Sequence, residues 1–182
     1  IFMYKYISFF LDSIEIRQRI VETNKKYINE PIVNIQNCIL DLKHSDEIIE
    51  VKAKIGFINS NSFSLNEYFF SLNPGLKVEK INGPHSQYQF KQMDHILTVL
   101  PKSNLPAGQT DSIEINYSGK IDERFCYQDI NEKKIEEEYR IWMYKIDKKY
   151  TFISRDFLLL DAESNWYPIA GLPYGIGFPK MN

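Results

Sequence analysis

The chain has few of the residues that build disulfide frameworks, metal sites or nucleic-acid interfaces. Its 182 residues include two cysteines, Cys38 and Cys126, and three histidines, and the formal net charge is −2. Two cysteines are too few for a disulfide framework; they could pair, but we interpret them as two free, buried thiols. The near-neutral charge provides no basic footprint, so no nucleic-acid partner is predicted.

The motifs of common active sites are also missing. A zinc helix of the HExxH type needs two histidines one turn apart, whereas His44, His85 and His95 are scattered. The sequence has no GxSxG nucleophile elbow, no GxxxxGKS or GxxxxGKT phosphate loop and no GxGxxG fingerprint. Asp161 and Glu163 are close together, but two acids after an apolar run are typical of an ordinary turn. The residues therefore predict no catalytic group, no metal site and no cofactor on this chain.

The first residues, IFMYKYISFFL, are apolar and aromatic but are interrupted by Lys5, and they begin with Ile1 rather than methionine. Spanning a bilayer takes about 20 apolar residues, so this stretch alone is too short. Two interpretations stay open, the first turns of an amphipathic helix or the end of a transmembrane helix.

The N-terminal segment as a whole is predicted to be helical. The helix is expected from about residue 8 to residue 28, and Glu30-Pro31 ends it because proline disfavours a helical conformation in the residue before it. Its apolar stripe is sparse and is interrupted by Arg17 and Asn24. The stripe residues are Phe10, Ile14, Val21 and Ile28. Residues 1–30 are therefore predicted to be a helix that either packs on the β-domain or leads to a membrane segment as a membrane-proximal linker.

Most of the remaining sequence has the two-residue period of half-buried strands. Ile113, Ile115 and Tyr117 fall on one face of such a strand, and polar residues fall on the other. Residues 37–43 and 51–57 alternate in the same way around a turn, which predicts a hairpin. Further strands are predicted at 67–72, 76–81, 88–93, 95–100, 150–153 and 156–160. Frequent turn signals between them predict a mainly β protein, an antiparallel β-sandwich or open saddle-like sheet over residues 31–173 with an N-terminal α-helix.

Two segments lack this pattern. Residues 122–149 contain the charge run NEKKIEEEYR, which is typical of a solvated face with one or two helical turns. Residues 174–182 are rich in glycine and proline and are predicted to be an irregular tail that leads to a missing downstream domain.

Three blocks of sequence, taken in order, resemble a known family. They are GFINSNSFSLNEYFFSLNPGLKVEKI, LPKSNLPAGQTDSIEINYSGKI and FISRDFLLLDAESNWYPIAGLP. Together they resemble the N-terminal β-domain of aminopeptidase N-like (gluzincin) zinc metallopeptidases. More narrowly, they resemble the form fused to bacterial ABC-type transporter permeases, in which a helix leads from the membrane into the β-domain. The resemblance covers about residues 9–173.

The resemblance implies a noncatalytic module that scaffolds one wall of a peptide-binding cleft. In the family, the zinc helix and the loop that binds the substrate amine lie in the following domain, so any zinc would be held in a missing downstream domain. The β-domain can lend an acidic residue to the substrate's amino terminus from the turn before the aromatic-proline segment. The matching positions are Glu163 and Asp161, although their spacing to Trp166-Tyr167-Pro168 departs from that of soluble aminopeptidases.

The resemblance also implies the partners and the location. The expected partners are a downstream peptidase-like domain of the same protein, a peptide ligand, and a membrane reached through the flanking segments. The resemblance favours a location of the domain outside the cytoplasm, but it does not fix the side of the membrane.

Two alternatives remain open on the sequence. The first is a free-standing extracytoplasmic domain that binds a ligand or a protein, with aromatic side chains on its recognition surface, although such residues are more often part of a core. The aromatic candidates are Tyr68, Phe69, Phe70, Tyr88, Phe90, Trp142 and Trp166. The second alternative is an independent enzyme whose site is assembled from distant residues.

Overall fold

The computed structural model describes residues 2–127 and 151–173 of the chain. Within these ranges the chain forms one α-helix, ten strands and two short 3-10 helices. The helix is α1 (Phe2–Tyr27), and the strands are β1 (Asn34–Ser45), β2 (Ile48–Ile58), β3 (Tyr68–Ser71), β4 (Leu76–Asn82), β5 (Gln89–Met93), β6 (Ile96–Leu100), β7 (Thr110–Gly119), β8 (Thr151–Ile153), β9 (Leu158–Leu160) and β10 (Ile169–Ala170). The 3-10 helices are Glu123–Tyr127 and Ala162–Ser164.

The first sheet has four antiparallel strands in the order β1-β2-β7-β4. The side chains of its two central strands, β2 and β7, alternate between the core and the outer face, as the two-residue period predicts. On β2 and β7 the buried residues are Ile49, Val51, Ala53, Ile55, Phe57, Ile113, Ile115 and Tyr117. The predicted hairpin is confirmed as β1 and β2, which turn at Asp46 with a φ of 51°.

The second sheet has the order β10-β3-β6-β5 and packs face to face on the first. The ring of Phe57 in the first sheet lies 4.9 Å from the ring of Tyr68 and 5.9 Å from that of Phe70, both in the second sheet. Both contacts are edge-to-face, an arrangement that aromatic quadrupoles favour. Leu97 and Val99 of β6 belong to the same buried cluster. The predicted antiparallel β-sandwich with an N-terminal helix is confirmed.

The helix α1 covers the outer face of the second sheet and makes a third layer. The rings of Tyr27 and Phe69 lie 5.7 Å apart, and Arg19 Nε forms an ion pair with Asp94 Oδ1 at 2.8 Å. Four residues at this junction are buried but lie outside the main cluster, namely Ile20, Phe69, Ile96 and Phe125. The sandwich therefore has a large core between its sheets and a smaller one beneath the helix.

The predicted stripe of the helix is wrong. The buried face contains Ile20, Thr23 and Asn24, whereas Val21 is half-buried and Ile28 is 50% exposed. The side chains of Phe10 and Ile14 lie outside the described part. The spacing of apolar residues does not identify this face because two of its buried residues are polar. One of them, Asn24, can be buried because its side chain forms a hydrogen bond with His95.

The prediction of two buried thiols is wrong for Cys38, which is a free and exposed thiol. Cys38 pairs with the buried Ile55, so it belongs to the inner row of the first sheet. It stays in contact with solvent because β1 is the edge strand of that sheet. The side chain of Cys126 lies outside the described part.

Several predictions fall outside the described residues. They concern the charge run from residue 128 onward, Trp142, and the tail at 174–182. The predicted strands at 150–153 and 156–160 correspond to the hairpin β8-β9. Within the described residues, no helix combines the length and the apolar composition that crossing a bilayer requires.

Candidate functional site

The turn that carries Asp161 and Glu163 leads from β9 towards β10. It closes on itself through a 3-10 helix, in which Ser164 N donates to the carbonyl of Asp161 at 3.1 Å and Ser164 Oγ donates to the same oxygen at 2.7 Å. Asn165 N donates to the carbonyl of Ala162 at 3.0 Å, and Asn165 has a φ of 50°. Asparagine tolerates this left-handed conformation better than most residues, which explains its place at the end of the turn.

Asn73 fixes this turn to the rest of the domain. Its side chain is fully buried, and its Nδ2 donates to the carbonyl of Ser164 at 2.8 Å and to that of Asp122 at 3.1 Å. Its Oδ1 accepts from the backbone N–H of Gly75 at 2.9 Å and of Asp122 at 2.8 Å. One amide group therefore joins three segments that are far apart in sequence, a set of contacts we call the Asn73 clamp.

A second contact fixes the aromatic segment after the turn. The hydroxyl of Tyr117 in β7 donates to the carbonyl of Trp166 at 3.0 Å. Burial raises the pKa of Tyr117, so this hydroxyl stays protonated and remains a donor at neutral pH. The indole of Trp166 stacks edge-on against Tyr167 at 5.1 Å. The turn and the Trp-Tyr-Pro segment are thus held as one unit on the sandwich.

The structure places the two predicted substrate-binding residues in this surface turn. Asp161 is exposed at its start. Glu163 lies in the middle of the 3-10 helix, and its side chain is outside the described part. Their proposed role in binding a peptide stays a prediction.

The histidines do not gather around a common point that the structure describes. His95 is buried, His44 is half-buried and His85 is exposed. Among the residues in 2–127 and 151–173, no group of three or more His, Cys, Asp or Glu side chains is arranged to hold a metal ion.

A cleft of about 460 Å³ opens beside the Asn73 clamp. Its walls are Glu47, Lys120, Ile121, Asp122, Glu123, Arg124, Thr151 and Ile153. Two ion pairs lie in it: Arg124 forms two hydrogen bonds to the Asp122 carboxylate, each 2.8 Å long, and Lys120 pairs with Glu47. Thr151 Oγ1 donates to Glu123 Oε1 at 2.6 Å.

Sequence reasoning missed this cleft because its walls come from three distant segments. No motif or spacing links residue 47 to residues 120–124 and 151–153. The only available signal was the Asp122–Arg124 pair, whose two-residue separation suits a local ion pair but does not indicate a cavity. Asp122 belongs both to the cleft and to the Asn73 clamp.

A further polar cluster joins the two sheets. The hydroxyls of Tyr68 and Tyr88 both donate to Asp111 Oδ2, at 3.0 and 3.2 Å. Burial, and then the charge of Asp111, raise the pKa of Tyr88 to about 12 and raise that of Tyr68 as well. Both phenols therefore stay neutral donors at physiological pH, and through Asp111 they link the two sheets.

Comparisons with known proteins find a partial likeness. No protein-family model and no curated protein matches the sequence. Among solved structures, the M1 zinc metallopeptidase from Deinococcus radiodurans is 14% identical, with a TM-score of 0.47 over 51% of this chain and 21% of that chain. A mutant of that enzyme bound to a Tyr-Ser-Ala substrate is 15% identical, with a TM-score of 0.46 over 50% of this chain and 21% of its own. The chain thus spans about a fifth of the length of the metallopeptidases to which it is similar.

Proposed function

We propose that this chain is a noncatalytic β-sandwich module of a larger membrane-associated protein, and that it forms one wall of a peptide-binding cleft. The observation that carries the proposal is the Asn73 clamp, which fixes the acidic turn at residues 161–165 to the sandwich. The resemblance of three sequence blocks to the N-terminal domain of aminopeptidase N-like metallopeptidases supports the same interpretation.

A fixed acidic turn suits the recognition of a peptide's charged amino terminus. An ammonium group binds a carboxylate through charge-assisted hydrogen bonds, which are roughly twice as strong as neutral ones. A carboxylate on a preorganised turn loses little conformational entropy when it binds. Glu163 and Asp161 would provide this carboxylate, with Glu163 as the preferred residue. Any zinc and any hydrolysis would belong to a downstream peptidase-like domain.

The proposed module lies close to a membrane and outside the cytoplasm, and the N-terminal helix supports the membrane-proximal position. Ile7 and Leu11 lie in its first half and are 50% and 55% exposed. Exposed apolar side chains in the first half of this helix suit either a lipid interface or a neighbouring membrane segment. A parent protein in which this module follows the membrane segments of an ABC-type permease fits this arrangement.

Peptide titration tests the proposed binding turn. A short peptide with a free amino terminus is titrated into the protein while amide chemical shifts are followed, and its N-acetylated form serves as the ligand control. Glu163→Gln should weaken binding of the free peptide by about tenfold to a hundredfold, because it removes a charged acceptor worth about 1.5–3 kcal/mol. Glu67→Gln removes an exposed carboxylate elsewhere and should leave the affinity unchanged. Equal affinity for the acetylated peptide would contradict the proposal.

The second candidate is a free-standing extracytoplasmic binding domain. It is favoured by the outer face of the β8-β9 hairpin, where Leu159 is 58% exposed and the adjoining Phe157 is 52% exposed. The reading frame of the parent gene after Asn182 separates the two candidates. An HExxH motif downstream supports the module, whereas a stop codon directly after this residue supports the free-standing domain.

A further inference from the structure

The strand β1 forms one edge of the first sheet. Eleven of its twelve residues pair with β2, and none of the strands that the structure describes lies on its other side. Its register shifts between Ile35 and Asn37, and from Cys38 to Ser45 the pairing is regular. Such a long and regular edge is a ready template for another strand.

The outer face of this edge carries charges of both signs in a defined order. Asp41 lies opposite Lys52 of β2, and Lys43 lies opposite Glu50. Asp41 and Lys43 therefore each continue a row across the strands, and in each row the charge changes sign from β2 to β1. A strand added beside β1 would extend these rows, provided that it presents a cation next to Asp41 and an anion next to Lys43.

The sequence of β1 itself meets this condition in one antiparallel register. When two copies pair about a two-fold axis at Leu42, Asp41 of each copy faces Lys43 of the other. Pairing about Asp41 or Lys43 would place like charges opposite each other, which is destabilising. Pairing about Leu40 would place Asp41 opposite the apolar Ile39. Of the registers centred on residues 40–43, only the one centred on Leu42 matches opposite charges.

The same register also places exposed apolar residues on one row. Ile39 would face Ser45 of the second copy, and Ser45 is itself paired with Ile48. Ile39 is 65% exposed and Ile48 is 52% exposed. A small serine between them lets the two isoleucines approach across it, so part of this apolar surface would be buried.

We propose that β1 binds a second copy of this chain, with the two strands antiparallel and Leu42 on the two-fold axis, so that the first sheets of both copies join into one eight-stranded sheet. Each central row then reads Lys52, Asp41, Lys43 of the second copy and Glu50 of the second copy, with alternating charge throughout. The interface uses about seven residues of each strand and is small, so we expect dissociation constants of about 10 µM to 1 mM.

A charge swap tests the register. Sedimentation velocity is measured for the full chain from about 10 µM to about 1 mM, in which range the unaltered chain should pass from monomer to dimer. Asp41→Lys and Lys43→Asp should each weaken dimerisation by about tenfold, because each replaces two attractive pairs with repulsive ones. The double variant D41K/K43D should dimerise more tightly than either single variant, since it restores opposite charges across the axis, although within each copy it opposes the charges of Lys52 and Glu50.

Lys91→Asp provides the matched control. It makes the same charge change as Lys43→Asp at an exposed position of β5, in the other sheet, and should leave dimerisation unchanged. A chain that stays monomeric throughout the concentration range would overturn the proposal. A double variant that dimerises no better than either single variant, while unfolding at the same temperature as they do, would also overturn it.

Cysteine crosslinking tests the axis without altering any charge. In a chain with Cys38 and Cys126 replaced by alanine, Leu42→Cys should form a disulfide-linked dimer on mild oxidation, because residues directly opposite in a sheet have Cα atoms about 4.5–5.5 Å apart. Leu40→Cys on the same face is the control, since its counterpart in the second copy would be about 14 Å along the strand. Equal crosslinking of the two variants, or none with Leu42→Cys, would overturn the proposed register.

Discussion

At the scale of single residues, Asn73 is a fully buried polar side chain that joins distant segments. Its amide makes four hydrogen bonds to backbone groups in three segments. Asn73→Ala leaves these buried groups without their partner, and each unsatisfied buried group costs about 1–3 kcal/mol. Because the loop can relax and admit water, we expect the free energy of unfolding to fall by about 2–4 kcal/mol in urea denaturation.

The matched control for this prediction is Asn34→Ala. Asn34 is an exposed asparagine at the start of β1, and its replacement should change the free energy of unfolding by less than about 0.5 kcal/mol. Equal effects of the two substitutions would show that the Asn73 clamp contributes little. Asn73→Ala should also abolish any effect of Glu163 on peptide binding, because the turn would lose its fixed position.

The stability of the protein should depend on pH because of His95, and the burial of this side chain determines the direction of the change. It is fully buried, its Nε2 lies 2.8 Å from Asn24 Oδ1, and its ring lies 5.0 Å from that of Phe125. Because Asn24 Oδ1 can only accept, Nε2 carries the proton in this pair. Desolvation lowers the pKa of His95 to about 4, and the neighbouring Asp94 charge offsets this only in part.

The unfolded chain has a histidine pKa of about 6.5, so it takes up a proton at a higher pH than the folded chain does. The contribution of neutral His95 to stability is therefore complete above about pH 6.5 and is lost as the pH falls towards 4, by about 3 kcal/mol in total. His95→Gln keeps a donor for Asn24 but does not titrate. The free energy of unfolding of this variant, measured from pH 7.5 to 4, should decline less than that of the unaltered chain, and parallel curves would contradict the assignment.

At the scale of elements, the two halves of α1 have different roles. The second half carries the buried Ile20, Thr23 and Asn24, and it covers Phe69 and His95 on the second sheet. The first half presents Ile7 and Leu11 away from the core. We therefore expect the second half of the helix to contribute more to the stability of the sandwich than residues 1–11 do.

Two shortened chains test this division. Removal of residues 1–30 exposes the small core under the helix, so the free energy of unfolding should fall by at least about 3 kcal/mol, equivalent to uncovering two large apolar side chains. Removal of residues 1–11 should change it by less than about 1 kcal/mol, because the two large side chains described there, Ile7 and Leu11, are exposed and exposed positions contribute little. Urea denaturation of both chains, followed by tryptophan fluorescence, gives the comparison. A similar loss in both chains would contradict the division. The predicted domain boundaries at residues 30 and 173 stay predictions.

At the scale of the whole molecule, the proposed function predicts that this chain holds no metal by itself. The described His, Cys, Asp and Glu residues form no metal-binding group of three or more. The purified chain should therefore contain less than about 0.1 zinc per molecule after dialysis, since a structural or catalytic site takes at least three protein ligands. Aminoacyl substrates should be hydrolysed no faster than in buffer. One tightly bound zinc per chain, measured by atomic emission, would contradict the proposed role.

The sequence by itself determined the β-rich character of this protein and its local turns. Alternation at Ile113, Ile115 and Tyr117 predicted a half-buried strand because side chains on a strand point to opposite faces in turn. The hairpin of β1 and β2 was predictable for the same reason. These features depend on residues that are close together in the chain. The alternation of apolar and polar residues is therefore visible within the ten residues of one strand.

Only the tertiary structure decided which polar residues would be buried and where the acidic turn would be fixed. Asn24 interrupts an apolar stripe in the sequence, yet it lies in the buried face because His95, 71 residues away, forms a hydrogen bond with it. Asn73 is an ordinary turn residue in the sequence, and its partners at Asp122 and Ser164 lie 49 and 91 residues further along. A buried amide is stable only when its hydrogen bonds are made, and those partners come together only when the sheets pack.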